Sequence, residues 1–186
     1  MQTLGLSGAT PRTESRAQAL FWPTIRNDGD FDYITRQGFW ICLAVAAVSI
    51  VVAAFTGSVV DALEGLFFLL AGIGVRERSR VAAIVAFSAY FLSASVLQRD
   101  TGHGFGIVQI ICSALLFANI RGNRLSARWE KDVDHIIVPM RLNQTITDKF
   151  TDQLPTILWP KVRHVFYVLA GAEITLLLFL LLGPRT

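Results

Sequence analysis

An all-α integral membrane bundle of about five transmembrane helices, joined by an amphipathic cytoplasmic helix, is the fold class this sequence predicts. Three observations point to it. Apolar residues make up 53% of the 186-residue chain and charged residues only 17%, with a mean hydropathy of +0.49, whereas an ordinary soluble domain has roughly a quarter of its residues charged. The apolar residues gather into five runs, Phe39 to Thr56, Val59 to Val75, Val81 to Leu97, Gly104 to Ile120 and Val165 to Gly183, each 17 to 19 residues long. At about 1.5 Å per residue, a helix of that length just crosses a hydrocarbon core of roughly 30 Å. The 17 Lys and Arg residues stay out of those runs and cluster between them. As core helices of a soluble protein, five such runs would leave too little polar surface to cover them.

Charge between the runs sets the orientation. Four Arg precede the first run, Arg76, Arg78 and Arg80 lie in the hairpin "RERSR", and eight more basic residues lie between Arg121 and Arg163. Threading five helices puts these three segments, with 15 of the 17 basic residues, on one side, leaving Arg99 and Arg185 on the other. By the positive-inside rule the N-terminus is cytoplasmic and the terminal "GPRT" external. The parts are then a cytoplasmic segment over 1–37, a four-helix bundle over 38–121, a cytoplasmic amphipathic segment over 122–163, and a fifth span with a short external tail over 164–186. The first 37 residues are polar and carry four Arg, so they do not read as a cleaved secretory signal.

Each element has its own signal. The second run carries Asp61 and Glu64 in its first turns, where they are expected to reach water at the outer boundary and to favour the positive end of the helix dipole. In the third run Ala82, Ala86, Ala89 and Ser93 form a stripe of small residues expected to face a neighbouring helix, with Ile84, Phe87 and Phe91 directed to lipid. Gly106, Gln109 and Ser113 make a comparable stripe in the fourth, and the short "QRDTGHG" turn makes runs three and four antiparallel neighbours. Ile146, Phe150, Leu154 and Leu158 recur at four-residue steps, describing an amphipathic helix on the membrane surface or on the bundle. Pro155 is expected to end or bend that helix, and a second helix to start near Pro160.

The residues that bear chemistry are few. Glu173 lies near the middle of the fifth run, and a carboxylate at that depth costs about 2.5 to 3.5 kcal/mol on insertion scales, so it is expected to face inward. No Lys or Arg stands at comparable depth, and its expected partners are Gln109, Ser113, Tyr90 or Ser49. The functional reading of this set is a proton or cation site, and the competing one is a packed polar residue or a contact to a partner subunit. The basic pattern excludes nucleic acid as the first reading, since it follows topology. Cys42 and Cys112 sit inside apolar runs without paired spacing, so they read as small packing residues. Asp132, Asp134 and His135 lack a second His or a Cys and read as a solvated helix end rather than a metal site. No Walker, HExxH or GxSxG pattern occurs, so no cofactor and no enzymatic activity is expected.

Two hexamers, "FWPTIR" at 21–26 and "LWPKVR" at 158–163, precede the first and last runs. Trp22 and Trp159 suit the headgroup boundary, and Arg26 and Arg163 hold positive charge inside, so both hexamers read as interfacial anchors. Arg76, Arg78, Arg80, Arg121 and Arg124 are placed to meet anionic lipid headgroups. The W-P-x-I-R segment, the R-x-R hairpin and the N-x-R-G following the fourth run together resemble small uncharacterised multi-pass proteins of bacterial inner membranes, over residues 21 to about 129. The resemblance implies an inner-membrane location and no activity. The expectation is a non-enzymatic accessory, assembly or interaction component, in contact with the lipid bilayer and with other membrane subunits or copies of itself. The alternative is a small proton- or cation-linked transporter or channel using Glu173.

Overall fold

The computed structural model describes residues 28–129 and 146–184, with Ser15, Gln18 and Phe21 upstream. These residues form five helices and no strand: α1 Asp28–Thr56, α2 Val59–Arg76, α3 Arg80–Thr101, α4 Ile107–Trp129 and α5 Ile146–Leu182. Three are long and apolar enough to cross a membrane, over Asp32–Thr56, Arg80–Thr101 and Gln153–Leu182. The other two fall short for visible reasons. Within its 18 residues α2 carries Asp61, Glu64 and Arg76, and the apolar stretch of α4 gives way to Asn119, Arg121, Asn123 and Arg124.

The turns follow from their residues. Gly57 adopts a left-handed φ of 69°, and the Ser58 hydroxyl then accepts from the Asp61 N–H to cap α2, so α1 and α2 form a hairpin of two linking residues. Ser79 caps α3 in the same manner, and Gly102, also left-handed, ends it.

Close backbone approach holds the first hairpin together. Gly65 and Gly72 sit seven residues apart on one face of α2 and lie against α1. A methyl at Gly72 would stand 3.1 Å from the Cys42 Cβ, and one at Gly65 would stand 3.1 Å from the Ala46 carbonyl oxygen. Lipid tails are as apolar as the helix surface, so such contact, rather than hydrophobic exclusion, drives association. Most of the α3 stripe behaves as its spacing predicts, with Ala82, Ala86 and Ala89 fully buried and Ile84 and Phe91 facing outward, but Phe87 is half-buried, its ring 5.6 Å from that of Phe117 on α4. Phe67, Phe68 and Phe166 fill the centre, with Phe67 stacked on Phe166 at 5.8 Å.

Helix α5 departs from expectation. It runs unbroken through Pro155 and Pro160, crossing the expected boundary between amphipathic segment and last span. Its inward face, Thr151, Pro155, Trp159, Phe166, Ala170, Glu173 and Leu177, continues along most of the helix, so the amphipathic segment packs on the bundle as an extension of the final helix. Pro155 removes the N–H that would bond the Thr151 carbonyl. That carbonyl instead accepts from Arg76 Nε at 3.0 Å, so the orphaned acceptor is satisfied from another helix. Helix α4 likewise continues through Gly122, whose missing side chain admits Ile34.

Candidate functional site

The bundle has two polar clusters, one at each end. At the end bearing Arg76, Arg78, Arg80, Arg121 and Arg124, the α2 C-terminus meets the starts of α1 and α5. The Arg76 guanidinium donates to Asp32 Oδ1 at 2.5 Å, to the Thr35 hydroxyl at 2.7 Å, to the Asp32 carbonyl at 3.2 Å and to the Thr151 carbonyl. The planar fork of Arg can serve three directions at once, which a Lys ammonium on the same stem does not reproduce. Beside it, Asn119 of α4 donates to the Ile34 carbonyl at 2.6 Å, and Asn123 donates back to the Asn119 carbonyl and side-chain oxygen. This cluster fixes four helices by hydrogen bonds.

The opposite end is built differently. Arg99 near the end of α3 donates to the carbonyls of Leu180, Leu181 and Gly183, closing the α5 C-terminus with a cation where the dipole favours one. Deeper by seven to nine residues on α1, α3 and α5, and by five on α2, lie Ser49, Ser93, Glu173 and Glu64. The Ser93 hydroxyl donates to Glu64 Oε1 at 3.0 Å, and Ser49 is buried at a similar depth on α1. Glu173 is 8% exposed as a residue and makes no hydrogen bond or ion pair among the described residues. Four helices thus place two carboxyls and two hydroxyls at a similar depth, Ser49 and Glu173 buried and Glu64 and Ser93 half-buried.

No family model, curated protein or solved structure matches this chain. Its chemistry is therefore read from its own residues.

The expected partners of Glu173 divide. Ser49 is buried at a similar depth. Gln109 does not, because its side-chain oxygen accepts from the Gly106 N–H at 2.8 Å and caps the first turn of α4. Ser113 lies half-buried on α4, whose main neighbours are α1 and α3 rather than α5. Tyr90 packs edge-on against Phe68 of α2 at 6.4 Å and is half-buried. Glu64, expected with Asp61 at the outer boundary, is half-buried and turned toward α3, whose Ser93 hydroxyl donates to it. The first turn of α2 is completed by Ser58 with Asp61, which leaves Glu64 in phase with buried Phe68, Ala71 and Val75.

Trp159 packs against Phe166 at 5.5 Å and over Gly74, where a methyl would lie 2.5 Å from its ring. Its indole thus fills a notch in α2, while Arg163 is exposed one turn further on. Trp22 and Arg26, like Asp132, Asp134 and His135, lie outside the described residues. Among the described residues no group of three or more His, Cys, Asp or Glu gathers to hold a metal, and Cys42 and Cys112 are unlinked. Cys42 serves as a small buried contact opposite Gly72.

Proposed function

We propose that the protein is a five-pass inner-membrane component that acts by binding other membrane helices, its own copies included, rather than by catalysis. The N-terminus is cytoplasmic and the C-terminus external in this reading, with Arg76, Arg78, Arg80, Arg121 and Arg124 at the headgroups of the inner leaflet. The observation that carries it is the outer face of α5. Most small residues of the bundle are used internally, as in the alanine stripe of α3 and the glycines of α2. On α5, however, Gly171, Ala172 and Thr175 are exposed side by side, and a methyl at Gly171 would meet nothing within 4 Å. Exposed Val168 and Phe179 flank them. Such a notch lets another helix approach to backbone distance, which is the main source of helix association in lipid.

Cross-linking tests this. In a background with both native Cys replaced by Ala, Ala172→Cys is expected to give a disulfide-linked dimer or a defined larger adduct in native membranes. A cysteine at Val48, exposed on α1, is expected to give none. A clean monomer from both would remove the reading.

A further inference from the structure

We propose that a groove between α1 and α4 holds one acyl chain of an anionic phospholipid, with Arg36 meeting its phosphate; this rests on the bundle lying in a membrane and not on its binding other helices. The groove has a volume of about 460 Å³, and its walls are almost entirely apolar. Trp40, Ile41, Ala44 and Val45 of α1 form its length together with Cys112 of α4, and Tyr33, Arg36 and Gln37 stand at one end. Its frame is fixed nearby, where Asn119 of α4 donates to the Ile34 carbonyl and Gly122 admits the Ile34 side chain. Trp40 is exposed yet supported by other rings, 5.7 Å from that of Phe39 and 6.4 Å from that of Phe150 on α5. An aromatic wall placed in advance has little freedom to lose when a ligand arrives.

Depth and polarity name the occupant. Asp32 and Thr35 both meet Arg76, which puts Tyr33 and Arg36 at the level of the basic end. From Arg36 to Val45 the helix advances about 14 Å at 1.5 Å per residue, just under half of a hydrocarbon core of roughly 30 Å. The groove therefore runs through one leaflet, polar at the headgroups and apolar toward the bilayer centre. A second membrane-spanning helix would call for walls that continue across the other leaflet, whereas these stop near Val45 while α1 goes on to Thr56. The charge at the polar end selects an anionic headgroup. Arg stays ionised, and its planar fork matches phosphate. Its stem can lie along an apolar wall while the head keeps to the polar edge, and with five N–H donors it can meet a phosphate beside a second partner. Arg121 and Arg124 of α4, at the same end, add to the attraction for anionic lipid.

The test uses the full chain in mixed micelles of phosphatidylcholine and mild detergent. Tryptophan emission is followed as the lipid is exchanged for phosphatidylglycerol, or for phosphatidylcholine, brominated near the headgroup end of its acyl chains. The brominated phosphatidylglycerol is expected to quench saturably, with half-effect at a mole fraction about fivefold lower than the brominated phosphatidylcholine. Trp40→Phe should remove the preferentially quenched part of the emission. Arg36→Gln should bring the two lipids to the same half-effect, while Arg124→Gln, exposed on α4 and outside the groove, keeps the difference. If Arg36→Gln does not fold, Ala44→Phe decides: Ala44 is exposed, and a ring there fills the groove without altering charge, so the preference should vanish. Glycerol phosphate in excess should leave the quenching unchanged, since it has no chain for the apolar walls, and displacement of the lipid by it would overturn the proposal. So would equal quenching by the two lipids in the parent protein, or a preference that survives Trp40→Phe or Ala44→Phe. A chain that stays dispersed without detergent would remove the membrane reading itself, whereas one that needs detergent and shows no preference removes only the lipid site. Helix docking is tested by cross-linking and stands or falls separately.

Discussion

The two ends of the bundle solve the same problem, polar groups among apolar helices, in opposite ways. At the basic end complementary groups meet: a guanidinium with a carboxylate, a hydroxyl and carbonyls, and Asn amides with carbonyls. At the Arg99 end a like pair, Glu64 and Glu173, stands at a similar depth, and the hydrogen bond described to it comes from the Ser93 hydroxyl. Complementary sets are self-sufficient and structural, and removing one member strands the others. A like pair is incomplete in itself, and removing a member relieves it. The comparison therefore predicts that truncation is damaging at one end and tolerated at the other.

The largest effect is expected for Arg76→Ala, which strands Asp32 and the Thr151 carbonyl together and should lower stability by about 3 kcal/mol, read from reversible unfolding in mixed detergent and SDS. Arg76→Lys should recover less than half of that. A double-mutant cycle sharpens the point. In a Pro155→Ala background the helix regains its own N–H for Thr151, so Arg76→Ala should cost at least about 1 kcal/mol less there than in the parent protein; an unchanged cost would mean that Arg76 does not complete the helix. Gly74→Val comes next, at about 2 kcal/mol, because the added carbons meet the Trp159 ring and the Ala82 methyl and must displace them. Intrinsic fluorescence should report the displaced indole. Arg99→Ala should cost about 1 kcal/mol through loss of the α5 cap. Glu173→Gln should change stability by less than about 1 kcal/mol, since a neutral amide removes like-charge repulsion while keeping the shape. A loss as large as that of Arg76→Ala would erase the contrast between the ends.

Much of the architecture was legible in the residues. Five apolar runs gave five helices, with the second and third helices bounded almost where the hydropathy changed, and the small-residue spacing of α3 identified its buried face. What escaped were relations between elements. Pro155 and Pro160 argue against a continuous helix by every local rule, and only the Arg76 fork, 75 residues away from Thr151, overrides that at Pro155. Gln109 carried the right chemistry for Glu173, but its side chain caps the first turn of α4, a helix that packs mainly on α1 and α3. Glu64 was visible as a carboxyl, but α2 is so uniformly apolar that no polar face marked which way it pointed. Its phase with Phe68, Ala71 and Val75 was the available signal. Trp159 matched the pattern of an interfacial anchor because sequence alone did not reveal that Gly74 opens a notch opposite it.

The bond from Arg76 to the Thr151 carbonyl also bears on biosynthesis. Chains emerge from the ribosome N-terminal end first, so α1 and α2 are made before Thr151 and Pro155 exist. While α5 is nascent, its proline leaves an unmet carbonyl, and the donor that meets it is already waiting on an earlier hairpin. Residues 146–154 thus have reason to remain incompletely helical until they dock. The last helix of the chain would then be shaped by the first two, and its final turn toward the membrane set by whether that hairpin has already assembled.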